Sequence, residues 1–158
     1  MKKFDEFAQK HVMELLESDD ATPSMYINDI SKVFNMAIFH ASDLKGISHG
    51  SRRILFHLAH DDSLTQLQLV KLTHLTAPSV SVALVKLENE GLVRRVADVK
   101  DLRQVRVHLT EKGREYNDFV RKKCLDTENI MMKDITVSEQ EQLCVLLKKM
   151  LKNLVENS

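Results

Sequence analysis

Apolar residues recur at three- and four-residue spacing through most of this chain, and the rhythm changes only between Leu92 and Leu109. That spacing predicts a succession of amphipathic helices. The first covers residues 4–17, with Phe4, Phe7, Ala8, Val12, Leu15 and Leu16 on one side; Ser18-Asp19-Asp20 and Pro23 end it. A second, over about 25–45, carries Tyr26, Ile30, Val33, Phe34, Ala37, Ile38 and Ala41, and Gly46 stops it. Ser48 is placed to cap a third, bearing Ile54, Leu55, Leu58 and Ala59 and closing at His60-Asp61-Asp62.

Thr65-x-x-Gln68 reads as a capping box. It opens a short helix expected to bury Leu67, Leu69, Val70 and Leu72. After a turn at His74-Leu75-Thr76, Thr76 is the N-cap of a fifth helix with Pro78 in its first turn, where a missing N–H costs nothing. Its inner stripe is Val80, Ala83, Leu84 and Leu87, and Gly91 supplies the stop. From Leu92 the period falls to two. Val93 and Arg95 alternate with Arg94 and Val96, and Val105, Val107 and Leu109 alternate with Gln104, Arg106 and His108. Two short antiparallel strands around a charged tip follow from this. Thr110 caps a helix over Glu111–Lys133, and Ser138-x-x-Glu141 is read as a second capping box launching the last helix. The fold class expected is mainly α with a small two-stranded β-wing: a winged helix-turn-helix with additional helices at both ends.

Composition narrows the class. With 158 residues, many aliphatics, four Gly, two Pro and no Trp, a helical globular protein is favoured over a sandwich or a disordered chain. No apolar run approaches the roughly 20 residues that span a bilayer. MKKFDEFAQK has no hydrophobic signal core, so a cytoplasmic protein is expected. Cys124 and Cys144 fall within helical patterns and are expected to be reduced and largely buried.

Net charge is zero, but its distribution is uneven. Residues 71–123 hold 12 Lys/Arg against 7 Asp/Glu, while residues 1–70 hold 7 against 10 and residues 124–158 hold 4 against 6. The basic excess coincides with the helix-and-hairpin pattern, as phosphate contact requires. In a helix-turn-helix the second helix presents its N-terminal residues to base edges, and Thr76, Ser79 and Ser81 supply small hydroxyls there. Lys100 and Arg103 stand at the hairpin tip, where cations enter a minor groove; Asp101 between them is expected to fix the loop, by accepting backbone N–H bonds or orienting a neighbouring Arg. The full DNA-facing set adds Thr65, Gln66, Val82, Lys86 and Arg95.

Leu87-Glu88-x-x-Gly91-Leu92-Val93-x-Arg95, Asp101-x-Arg103 and Leu109-Thr110-x-x-Gly113 together resemble, in order and spacing, the winged helix-turn-helix of the multiple antibiotic resistance regulator (MarR) family. The close likeness covers about a third of the chain. It implies a homodimeric transcriptional regulator on a pseudo-palindromic double-stranded DNA site, usually a repressor relieved by an effector. It implies dimerisation helices at 1–47 and 110–158 around a DNA-binding domain at 48–109. Ser79 and Ser81 fall where the family touches bases, and Arg103 at its minor-groove arginine. Val82 and Val85 depart from the polar residues common at those outward positions: either they pack against the wing or another helix, or they contact thymine methyls. The resemblance also places an effector crevice between dimerisation helices and winged domain, with Phe34, Ile38, His40, His49 and Arg53 as its candidates.

The amphipathic terminal helices would leave apolar surface bare in a monomer, which also argues for a second copy. His57-x-x-His60 beside Asp61 and Asp62 has the makings of a metal edge, yet an i,i+3 His pair is equally at home at a helix C-terminus, and no metal site is assigned. No cofactor is expected. Without a nucleophile–base motif or Gly-rich phosphate loop, an enzyme is not expected either. Two other readings remain: a protein-interaction module on a winged-helix scaffold, and a metal- or redox-responsive regulator of the same fold.

Overall fold

The computed structural model describes residues 6–41, 47–98, 101 and 104–157, with side chains described at 10–38, 47–98, 101 and 104–157. Seven helices and three strands are formed among the described residues: α1 (Glu6–Leu16), α2 (Pro23–Ala41), α3 (His49–His60), β1 (Leu64–Thr65), α4 (Gln66–Thr73), α5 (Ala77–Asn89), β2 (Val93–Ala97), β3 (Val105–Leu109), α6 (Glu111–Met131) and α7 (Val137–Glu156). Two compact units result, residues 1–124 and 125–158. Among the described residues no helix is long and apolar enough to cross a membrane.

The core of the first unit is an aliphatic cluster beneath the fifth helix and the sheet. Ile54, Leu55 and Leu58 of α3, Leu69 of α4, Val80, Leu84 and Leu87 of α5 and Val107 of β3 are all fully buried within it. Ser48 caps α3 as expected, its Oγ accepting the Ser51 N–H at 3.1 Å. Ala59, however, is exposed, because its phase lies away from the Leu55–Leu58 stripe. The α4 capping box is complete: Gln68 N–H donates to Thr65 Oγ1 and Thr65 N–H to Gln68 Oε1 at 2.8 Å. Burial along α4 departs from expectation. Leu69 and Thr73 are buried and Val70 half-buried, whereas Leu67 is 65% exposed and Leu72 43%. A helix of eight residues turns little more than twice, so one i,i+4 pair faces the core and the leucines on either side face out.

The sheet has three strands rather than two, in the order β1-β3-β2 and antiparallel throughout. β1 sets Leu64 opposite Val107 and Thr65 opposite Arg106. Two residues are too few to show a period, so this strand has no signature in sequence. α5 ends in a Schellman motif: Gly91 has φ +69°, its N–H donates to Glu88 O, and Leu92 N–H donates to Leu87 O. Thr110 then joins the wing to α6. Its hydroxyl donates to Gly91 O and accepts the Gly113 N–H, so Gly113 lies against the Leu92 carbonyl, where a Cβ would approach to 2.0 Å.

The second unit corrects a cap. Asp134 takes φ +63°, and Thr136, not Ser138, caps α7 by accepting the Glu139 N–H; Glu139, not Glu141, closes the box. The thiols also differ from expectation: Cys124 on α6 is half-buried, and Cys144 is exposed because α7 has no buried residue of its own.

Candidate nucleic-acid interface

Helix α5 is anchored along one side and open along the other. Val80, Ala83, Leu84 and Leu87 are buried, while Pro78, Ser79, Val82, Val85 and Lys86 are exposed. At 100° per residue, Pro78, Val82 and Val85 point most directly outward, with Ser79 and Lys86 on one flank and Ser81, half-buried, on the other. Val82 is 71% exposed and Val85 48%, so among the described residues neither is buried against the wing or a neighbouring helix. Ser79, Val82 and Lys86 border an open depression whose far side is Ser48 and Ser51 of α3.

The helix start is fixed by its own side chains. Thr76 accepts the Ser79 N–H, and the two hydroxyls lie 2.8 Å apart. Behind it, His74 adopts a left-handed conformation (φ 53°), which turns the chain sharply between α4 and α5. At the start of α4 the Thr65 hydroxyl is committed to the capping box, and Gln66 is half-buried in the first helical turn.

On the wing, Arg95 shares the inward side of β2 with Val93, and its Nε lies 3.3 Å from Glu88 Oε2 at the end of α5. That pair ties wing to helix. The base of the wing is held by Asp98, a residue that sequence reasoning missed. Asp98 is buried, its carboxylate accepts the Asp101 N–H and pairs with Arg106 Nε, and Arg106 Nη1 donates to Ser63 O at 2.9 Å. Asp101 accepts instead from Gln104: its backbone oxygen from the Gln104 N–H, its carboxylate from Nε2 at 3.2 Å. The carboxylate described accepting a backbone N–H here is thus that of Asp98. Lys100 and Arg103 lie outside the described residues.

A second cavity, of about 260 Å³, opens between α2, α3 and α6. It brings together four of the five effector candidates, Phe34, Ile38, His49 and Arg53; the side chain of His40 lies outside the described residues. It adds Arg52, Arg121 and Cys124, which sequence reasoning missed. The available signal was a charged residue at a position of α3 that borders its apolar stripe. Burial lowers the His49 pKa, and the neighbouring Arg52 and Arg53 lower it further, which favours the neutral imidazole. His57 is held low by the same two influences, burial first and then Arg53. His60 Nδ1 is 2.9 Å from Phe56 O, and its ring packs on Phe56. Among the described residues no group of three His, Cys, Asp or Glu side chains is arranged to hold a metal ion.

A helix braced from behind by two others, its free face beside an anchored β-hairpin, defines a winged helix-turn-helix protein. Residues 45–104 match the model of the MarR family. The chain is 28% identical over 137 residues to the HTH-type transcriptional regulator YdgJ of Bacillus subtilis, covering 87% of this chain and 82% of that one. It is 29% identical over 113 residues to the transcriptional repressor YetL of the same organism, covering 66% and 68%. The S. aureus MepR–DNA complex superposes with a TM-score of 0.73 at 26% identity, over 87% of this chain and 99% of that one. The chain thus matches the MarR family of transcriptional regulators over residues 45–104 and shares the fold of its solved members over most of its length.

Proposed function

We propose that two copies of this chain form a homodimer that binds a pseudo-palindromic double-stranded DNA site as a repressor, and that a small-molecule effector releases it. In this reading residues 48–109 bind DNA, while 1–47 and 110–158 pair the copies. α5 enters the major groove with Thr76, Ser79, Ser81, Val82 and Lys86 toward bases and phosphates. Arg95, Lys100, Asp101 and Arg103 form the wing's approach to the minor groove, and Thr65 and Gln66 lie beside the backbone at the start of α4.

The observation that carries this reading is the division of α5 into a fully buried stripe and a bare opposite face. Rigid bracing fixes the helix, and exposure leaves it available to a groove. The MepR relative bound to DNA and the repressor YetL support the same assignment. An effector at the α2–α3–α6 cavity has a short route to DNA, because α3 borders both sites: Ser48 and Ser51 face α5, and His49, Arg52 and Arg53 line the cavity.

The test is a gel shift with duplex DNA from upstream of the chain's own gene, with Arg103→Ala alongside the parent. Binding should weaken steeply with salt, and Arg103→Ala should reduce affinity with an unchanged melting temperature. Parent-level binding by the variant at moderate salt would contradict the wing assignment. A folded dimer that retards no DNA even at low salt would favour the protein-interaction reading.

A further inference from the structure

The outward face of α5 is apolar. Pro78, Val82 and Val85 follow one another at four- and three-residue spacing opposite the buried stripe, and all three are exposed. Between Thr76 and Lys86 there is no Arg, Asn, Gln, Asp or Glu. Those are the side chains whose hydrogen bonds tell one base from another in the major groove. The hydroxyls present discriminate poorly, because a hydroxyl both donates and accepts and so suits either kind of base edge. Thr76 and Ser79 are also turned toward each other, their oxygens 2.8 Å apart, and Thr76 accepts the Ser79 N–H. Lys86 lies in the last turn of the helix, whereas base contacts come from the N-terminal residues, so its charge is better placed for a phosphate.

The major groove offers one apolar group for such a ridge to meet. The C5-methyl of thymine projects from the groove edge of the base, and the other features there are hydrogen-bond donors and acceptors. Val82 and Val85 are about 4.5 Å apart along the helix axis, near the spacing of roughly 3.4 Å between base pairs, so they reach neighbouring pairs.

We propose that α5 reads the C5-methyl group of pyrimidines rather than the base that bears it, Val82 and Val85 each seating one methyl, so that 5-methylcytosine replaces thymine in the site and cytosine methylation strengthens binding. The assignment rests on the DNA-binding reading and names the chemistry that α5 selects. Thymine and 5-methylcytosine carry the methyl at the same ring position and point it into the major groove. They differ in the exocyclic group at C4, which accepts in thymine and donates in cytosine. The ridge has no side chain that detects this difference. Each methyl buried against a valine contributes about fourfold in affinity.

The test moves the methyl from one base to another. Two pools of random duplexes are offered to the full protein. One holds the ordinary nucleotides; the other is made with dUTP for dTTP and 5-methyl-dCTP for dCTP, so that the methyl sits on cytosine and not on the partner of adenine. The ordinary pool should enrich a motif with thymine at two neighbouring positions in each half-site. In the exchanged pool methylated cytosine should take those positions, preferred over uracil by about fourfold at each. Val82→Ser should abolish the exchange at one of the two positions and Val85→Ser at the other. Uracil retained at both positions would overturn the proposal and leave the DNA-binding reading intact; the ridge would then be free to cover a second protein molecule. An exchange that survives when both valines are replaced by serine would overturn it equally. A folded protein that enriches nothing from the ordinary pool would overturn the DNA-binding reading, and the proposal with it. The two-pool comparison on the parent protein stands even if a variant folds poorly.

Discussion

Val82 projects from the middle of α5 with most of its surface bare, one turn from Ser79 and Lys86. An apolar side chain there gains nothing from water, but it can meet a thymine methyl in a major groove. Replacing one contacted thymine by uracil removes only that methyl. The parent protein should then lose about fourfold in affinity, the worth of one buried methyl group. Val82→Ser should show no such loss, and its melting temperature should match the parent's, since an exposed substitution changes stability by about 0.5 kcal/mol or less. Gly113 makes the opposite case. A Cβ there would run into the Leu92 carbonyl, which is backbone and cannot swing aside. Gly113→Ala should destabilise the fold by about 1–3 kcal/mol in urea unfolding, with DNA contacts untouched.

Among elements, those whose ends are closed by local side-chain bonds were the most legible in sequence. Ser48, Thr65 and Thr76 cap α3, α4 and α5 where the pattern expects, and Gly91 ends α5. The sequence pattern sets the start of α7 two residues late because Thr136-x-x-Glu139 and Ser138-x-x-Glu141 fit one template equally. The left-handed turn at Asp134 decides between them. Thr136→Ala should cost about 1 kcal/mol, and Ser138→Ala about 0.5 kcal/mol or less, in thermal unfolding. β1 was illegible because it exists only through its pairing with β3. The cavity between α2, α3 and α6 was legible only through the family resemblance, which picks out Phe34, Ile38, His49 and Arg53; Arg52 and Cys124 follow no single period and were not. Asp98 has no signature in sequence for a related reason: its partner Arg106 lies across the hairpin and donates in turn to the distant Ser63 O.

Asp62 shows how such tertiary bonds link elements to pH. It accepts Arg114 Nη2 at 2.6 Å and the Leu109 N–H at 3.2 Å, joining the loop after α3 to β3 and α6. Burial is the largest influence on its carboxyl and pushes the pKa up, but Arg114 and Leu109 together outweigh it and hold the pKa below the ordinary value of 3.8. A pKa lower in the folded than in the unfolded state gives stability that is present above the unfolded value and lost as pH falls through the folded one. Asp62→Asn should therefore flatten the decline in melting temperature between about pH 5 and pH 2. A decline identical to the parent's would remove Asp62 from the acid response.

At the scale of the whole molecule, the proposed homodimer would make the protein a symmetric reader of DNA. α7 exposes Leu143, Leu147 and Leu151 at helical spacing, a stripe that a second copy would cover. Sedimentation should give a dimer, and Leu147→Lys with Leu151→Lys should shift it toward monomer. A two-fold dimer of winged helices in turn requires a site with matching symmetry. The most direct test is in vitro selection of bound sequences from a pool of random duplexes by the full protein at low salt. The account predicts enrichment of one motif with two inverted half-sites about one helical turn apart, and its loss at high salt. A folded protein that enriches no sequence, or only a motif without two-fold symmetry, would contradict it.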